Sequence, residues 1–397
     1  MLMAISKEGK VIQLDRKTSE LRLKQLKLEA QFFCPECEEA LILKAGSKRI
    51  PHFSHKRKSD CFESYERETK KHLDGKQLLY EWLTNQGLRP DMESYYHEIR
   101  QRADLGFTLH NIKNAIEYQC SIIPEELLLK RNQCYIQAGI RPLWILSDDH
   151  YHRKGSQKLS LSSFQYLFLQ INASGQTVIP FFSPQTNTFL LIHHLMPLTP
   201  KSALGKLSFR SLSNIPIHQM LRGSIEPIHF SRWQTEIRRM KTYANIQFGL
   251  FSRTFLDELY QSSIYPASLP PEIGIPVKNA YYIATSPIQW QTYLYLDVFR
   301  FRKTFSLHEI YNSFKKRCLN KHIKLRALSF GIEGGGLVAV REYVEVLRKL
   351  RILSTSNHFD YYLEKPIQME DNLQHLLEIE KIFYQQYGEK IMRNAIK

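Results

Sequence analysis

Apolar and polar positions alternate with a period of two along residues 101–109, and again along 114–122. In the first run Ala103, Leu105, Phe107 and Leu109 alternate with Arg102, Asp104, Gly106 and Thr108. In the second, Ile116, Tyr118, Cys120 and Ile122 alternate with Ala115, Glu117, Gln119 and Ser121. This alternation marks half-buried β-strands, which a short turn within His110–Lys113 would fold into a hairpin. A slip of one residue inverts every side chain, so the apolar faces align only where paired positions have an odd sum. The pairing that leaves a two-residue turn sets Asp104 opposite Glu117 and Arg102 opposite Gln119, with opposed Cβ atoms roughly 5 Å apart. Two carboxylates that close repel each other unless a cation sits between them. Oxygen ligands in that arrangement suit Mg²⁺ or Mn²⁺. The alternative is two acids that only face water.

The flanking pattern adds four elements. Residues 64–85 predict a helix, with Leu73, Leu79, Tyr80 and Leu83 at near-helical spacing and Glu68, His72 and Lys76 on a separate i, i+4, i+8 stripe. An extended stretch follows near 88–99. Pro124 opens a second helix that runs to about Gly139 and carries Leu127, Leu128, Arg131 and Tyr135. Residues 141–147 read as a buried strand. The order is αβββαβ.

Further along, 148–160 are polar and predict a linker, and 164–171, 177–182 and 188–193 read as strands of a meander. A helix is expected at 231–243. Prolines 266, 270, 271 and 276 mark a boundary or long loop, and from 277 the pattern is mainly helical. In 338–350, Val340, Val344, Leu347 and Leu350 face one way, and Arg341, Arg348 and Lys349 another. The hairpin-like pattern after them makes this pair similar to the recognition helix and wing of a winged helix. The competing reading is a helical domain whose terminal hairpin only packs.

Cysteine spacing introduces a second chemistry. Cys34-Pro-Glu-Cys37 is followed by His52-Phe-Ser-His55. Zn²⁺ takes four N/S ligands in a tetrahedron, and paired ligands on tight turns can supply them. Cys61 could replace one histidine, and a pair of reduced thiols beside surface histidines is the alternative. Six cysteines in 397 residues do not make a disulfide framework, which fits a reducing cytoplasm.

The chain is basic, with 55 Lys and Arg against 39 Asp and Glu, a formal charge of +16. That balance favours a polyanion such as nucleic acid, because phosphate contacts release counterions. No apolar run reaches the ~20 residues needed to cross a bilayer, and the N-terminus lacks a signal peptide's apolar core. Nine Lys or Arg and one acid, Glu309, lie between Arg300 and Arg326, Lys315, Lys316 and Arg317 among them. Phe299, Phe301, Phe305, Tyr311 and Phe314 interleave or flank these charges. Stacking rings with cations can bind single strands, and core rings beneath a solvated basic face give the same composition. No phosphate-cradling loop or nucleophile elbow is present, which argues against an ATPase or a serine hydrolase.

An αβββαβ order with an Asp on the second strand and Glu-x-Gln on the third resembles the PD-(D/E)XK nuclease superfamily. That resemblance implies a divalent metal on Asp104 and Glu117. Gln119 stands where the superfamily usually has a Lys, and Ala103-Asp104 replaces Pro-Asp. Gln can orient a water but brings no positive charge; Lys76 or Arg102 could supply it. The combined motifs resemble the competence protein CoiA family. They are Phe33-Cys34-Pro35-Glu36-Cys37, His52-Phe53-Ser54-His55, His72 with Lys76, Arg102-Ala103-Asp104, Ile116 to Ser121, Arg131 with Tyr135 and Gly139, and Leu143 to Leu146.

The resemblance implies a cytoplasmic bacterial protein that processes or recombines incoming single-stranded DNA, alone or with recombination or uptake proteins. On this reading Asp104 and Glu117 hold Mg²⁺ or Mn²⁺ and Gln119 positions water. Glu68 or His72 adds a ligand, and Arg131 and Tyr135 support the site or grip a phosphate. Cys34, Cys37, His52 and His55 hold structural zinc. The expected architecture is α+β: a zinc-finger-like module at 1–60, a restriction-endonuclease-like core at 61–150, a β-rich extension at 151–265 and a basic helical domain at 266–397. The rival function is a DNA-binding recombination mediator that keeps the nuclease fold without turnover. A transcriptional regulator reading through the C-terminal hairpin is a third.

Overall fold

The computed structural model describes residues 1–14, 18–29, 31–35, 37–46, 49–55, 69–153, 155, 157–172, 175–220, 228–243, 250–330, 334–355, 357 and 359–396. Glu68 and Cys61 lie outside these. The chain divides into two compact units. The first is Met1–Tyr151, Ile179–Leu191 and Ser208–Arg222; the second is His152–Val178, Ile192–Leu207 and Gly223–Lys397.

In the first unit the alternating runs form the hairpin Leu105–Leu109 and Ile112–Gln119, paired from Leu109↔Ile112 through Leu105↔Ile116. The turn is His110-Asn111, both with positive φ (50° and 61°), the two-residue geometry whose twist suits a hairpin. Asp91–Met92 pairs with one side of this hairpin. Arg141–Ser147 runs parallel to Ile112–Gln119 on the other, and the end of Thr177–Ser183 pairs in parallel with Arg141–Ser147. A crossover helix, Glu125–Gln137, makes that first parallel connection possible. Gly106 is needed where it stands: a Cβ there would fall 2.5 Å from the Ser94 hydroxyl and 2.8 Å from the Tyr96 phenol oxygen.

The helix Lys70–Thr84 begins at Thr69, whose hydroxyl accepts the His72 N–H at 3.2 Å and so caps the first turn. Its Gly75 admits the Tyr118 ring, which would sit 2.1 Å from a Cβ at that position. Ahead of it, Met3–Ser6, Val11–Gln13, Phe32–Phe33, Ala40–Gly46 and Arg49–His55 form a five-stranded sheet.

The second unit departs from expectation in two places. Residues 148–160 are not a plain linker, since His152–Arg153 and Lys158–Ser160 pair with each other and Lys158–Ser160 pairs with Ser202–Leu204. Long-range pairing overrides their polarity. Residues 163–166 are a short helix, not a strand, because Ser162 and Gln165 close a capping box. The proline-rich stretch after Tyr265 is a long loop, as one of its two readings had it, and it lies in the interior. Leu269, Ile273 and Ile275 are buried in it, and the Gln291 amide holds it by accepting from Gly274 N–H (2.7 Å) and Ile275 N–H (3.0 Å) and donating to the Ile275 carbonyl (2.7 Å).

Helices Phe230–Thr242, Pro287–Leu294, Leu307–Leu319, Gly335–Lys349 and Leu373–Ile396 build this unit. A three-stranded sheet joins them, in the order Thr304–Ser306, Asp360–Leu363, Leu353–Thr355. Among the described residues no helix is long and apolar enough to cross a membrane.

Candidate functional site

Asp104 lies where the hairpin ladder stops. Its backbone carbonyl accepts the Glu93 N–H at 2.8 Å, which pulls the strand away from Ile112–Gln119. The Asp104 carboxylate then takes the vacated position: Oδ2 accepts the Tyr118 N–H at 2.8 Å. The acid therefore lies near the plane between the two strands. From the helix Lys70–Thr84, His72 Nε2 reaches Oδ2 at 3.3 Å and Lys76 Nζ lies 3.7 Å from Oδ1. Burial alone would raise this carboxyl; the His72 contact, Lys76 and the Tyr118 N–H overcome it and hold the group well below the usual carboxylate range.

Glu117 is held by different partners. Tyr118, its neighbour, packs toward the helix Lys70–Thr84, so on an alternating strand Glu117 turns toward Glu125–Gln137. There Arg131 Nη2 and the Tyr135 hydroxyl each donate to Oε1 at 2.5 Å. Arg131 Nη2 also donates to the Arg102 carbonyl at 3.2 Å, and its guanidinium lies over the Trp144 ring. Burial, then the Glu117 charge, push the Tyr135 phenol well above its ordinary value, so Tyr135 remains a donor. The Gln119 amide donates to the Ser121 carbonyl at 3.0 Å.

Arg102 does not pair with Gln119. Its strand, Gln101–Arg102, pairs with Tyr95–Tyr96, and its buried guanidinium lies 3.8 Å from Glu93. Glu93 has no place in any motif read from the sequence, yet it is 4% exposed and accepts from Lys76 Nζ at 2.7 Å. Burial would raise its carboxyl, but Lys76 and Arg102 hold it well below the usual range. Burial would lower Lys76, and Glu93 and Asp104 outweigh it and hold the ammonium above its ordinary value.

The second cluster is smaller. Ligand atoms of Cys34, Cys37 and His55 lie within 4.8 Å of one another, with Cys37 Sγ 3.3 Å from His55 Nε2. A tight turn brings the thiols together: Glu38 N–H donates to the Cys34 carbonyl, and Cys34 N–H to the Glu39 carbonyl. Two thiols and an imidazole are donors that suit Zn²⁺. His52 is not in this cluster. It lies three residues from His55 on one strand, an odd separation that sends the two side chains to opposite faces.

The C-terminal basic residues divide. Lys315, Lys316 and Arg341 are exposed. Arg317 is committed inside the unit: it bonds Glu258 (2.6 Å) and Asp297 (2.5 Å) and lies over the Tyr293 ring. Arg348 pairs with Glu345 at 2.8 Å. Of the interleaved aromatics, Phe299, Phe305 and Phe314 are core residues and Tyr311 is half-buried; Phe301 is exposed.

Family models match most of the chain in three parts: the CoiA N-terminal domain at 14–64, the CoiA nuclease-like domain at 68–225 and the CoiA C-terminal domain at 228–377. A curated relative, "Competence protein CoiA" of Bacillus subtilis (strain 168), is 32% identical over 359 residues, covering 88% of this chain and 94% of the relative. No solved structure matches. With a nuclease-like domain spanning both His72 and Asp104, and a full-length relative of that name, the chain belongs to the competence protein CoiA family.

Proposed function

We propose that this protein is a cytoplasmic, competence-associated nuclease that cleaves phosphodiester bonds in incoming or recombining DNA with Mg²⁺ or Mn²⁺. The observation that carries this reading is the Asp104 centre. A half-buried carboxylate, kept ionised by His72, Lys76 and a backbone N–H, lies where the hairpin ladder ends, in the nuclease-like domain. Asp104 and His72 lie together and suit a hard divalent ion, and Glu117, which turns toward Glu125–Gln137, would have to approach Asp104 to act as the second oxygen ligand. When bound, such an ion would polarise the scissile phosphate and acidify a water.

The protein's own groups have separable tasks. Lys76 places a positive charge within 3.7 Å of Asp104, near where negative charge develops on a phosphate in the transition state. This charge compensates for Gln119, which can only orient water. Arg131 and Tyr135 fix the Glu117 carboxylate through two short hydrogen bonds. The Cys34, Cys37 and His55 cluster would hold structural zinc; Cys61, six residues beyond His55, offers a thiol of the right chemistry for a fourth ligand. In the C-terminal unit, the order strand, helix, helix, hairpin with Thr304–Ser306 at the sheet edge supports a winged-helix reading. Lys315, Lys316 and Arg341 would then contact DNA phosphates, single-stranded DNA being the expected substrate.

Asp104→Ala and Glu117→Ala should abolish Mg²⁺-dependent cleavage of single- and double-stranded DNA while the melting transition persists. Unchanged cleavage by both variants would rule the site out. A second reading has a specific observation behind it: the Gln119 amide is tied to Ser121 and Lys76 is already paired with Glu93. Both fit a mediator that binds DNA without cutting it. Metal binding without cleavage by the purified protein would favour that reading.

A further inference from the structure

We propose that Glu93 is a positioning residue of the nuclease-like centre, seating the Lys76 ammonium against Asp104 and joining the N-terminal sheet to the site. This rests on reading Asp104 as the metal-binding acid. Glu93 reaches Asp104 by two routes, one direct and one through Lys76. Its own N–H bonds the Asp104 carbonyl at 2.8 Å, and its side chain holds the lysine that lies 3.7 Å from Asp104 Oδ1. The carboxylate oxygens meet three hydrogen-bond donors and one further cation. Oε1 accepts Lys76 Nζ (2.7 Å) and the Leu2 N–H (2.6 Å); Oε2 accepts the Met3 N–H (3.0 Å) and faces Arg102 at 3.8 Å.

Two features separate this from an incidental ion pair. Glu93 sits at φ 51°, a left-handed conformation unfavourable for a non-glycine residue, so the surroundings over-determine it. The charges also stand in opposition, with Glu93 and Asp104 facing Lys76, and Arg102 3.8 Å from Glu93. A buried lysine facing Asp104 alone would compete with any cation for that acid. Glu93 takes up one side of the ammonium, so Lys76 can stay charged next to Asp104 without capturing it. The first strand of the N-terminal sheet, through Leu2 and Met3, is then part of the same construction and not a separate appendage.

The test is a double-mutant cycle in the full chain with Glu93→Gln, Lys76→Met and both together. Mn²⁺ affinity is measured by calorimetry beside melting temperature, with Asp104→Asn as the control that identifies the site's share of binding. Glu93→Gln should weaken the Asp104-dependent Mn²⁺ binding about tenfold or more, since an unbalanced ammonium then faces the ligand. Adding Lys76→Met should restore it to the wild-type value or tighter. A purely structural glutamate would lower the melting temperature and leave the affinity unchanged, and that result overturns the proposal. If Asp104→Asn binds Mn²⁺ like the wild type, the metal-binding reading itself fails and takes this one with it. If Asp104→Asn is weakened and Glu93→Gln is not, only the role given to Glu93 falls.

Discussion

Two lysines are buried to the same degree and treated in opposite ways. Lys76 in the first unit and Lys241 in the second are each 2% exposed. Lys76 meets carboxylates: Glu93 at 2.7 Å and Asp104 at 3.7 Å, which hold its ammonium above the ordinary value against the pull of burial. Lys241 donates to the carbonyls of Leu269 (3.1 Å) and Pro270 (2.8 Å). Its nearest carboxylate, Glu380 at 3.9 Å, is already engaged by Arg238. Burial pulls Lys241 down to about 7, and Glu272 does not offset it. Burial is the same, so countercharge decides. One site keeps a charge where an anionic transition state could use it; the other spends its lysine on fastening a loop.

The largest effect should come from breaking the charged set. Lys76→Met takes from buried Glu93 its hydrogen-bonded cation, and the loss of one partner from a buried pair costs about 3–5 kcal/mol. Lys241→Met only strands two carbonyls, at about 1–3 kcal/mol. Urea unfolding of both variants would invert the argument if Lys241 proved the costlier position.

The pH dependence sharpens the same contrast. The folded pKa of Lys76 is raised, so its contribution is present below the unfolded value of about 10.4 and is lost as pH rises through the folded one. The folded pKa of Lys241, about 7, lies below the unfolded one. Stability therefore rises between pH 7 and about 10.4 as the unfolded chain binds the extra proton. Glu93 and Asp104 have depressed pKa values, so their contribution is present above about pH 4 and fades as acid protonates the folded state. Unfolding measured across this range should lose its alkaline fall in Lys76→Met and its rise above neutrality in Lys241→Met.

Smaller effects distinguish structural from solvent-facing basic residues. Arg317→Ala removes the pairs to Glu258 and Asp297 and should cost about 2 kcal/mol of stability with little change in DNA affinity. Lys316→Ala should leave stability within about 0.5 kcal/mol. If the exposed face binds DNA, Lys316→Ala should also reduce the slope of log affinity against log salt by about one.

What the sequence made legible follows a rule of range. The hairpin register could be read because period-two alternation and a two-residue turn are local, and they align Leu105 with Ile116 as expected. His72 and Lys76, one helical turn apart, both reach Asp104. Glu93 could not be read. It sits in a short polar stretch with no periodicity, and its partners Lys76 and Leu2 lie 17 and 91 residues away. Arg317 hid its role for the same reason, since Glu258 and Asp297 are distant in sequence. Two misreadings were avoidable. The odd spacing of His52 and His55 on a strand already separates their side chains, and Ser162 with Gln165 spells a helix start.

Diffraction from crystals soaked in Mn²⁺ tests the central claim most directly. The account predicts an anomalous peak with Asp104 and Glu117 oxygens about 2.0–2.2 Å from it, absent in Asp104→Asn. A peak confined to Cys34, Cys37 and His55 would contradict it.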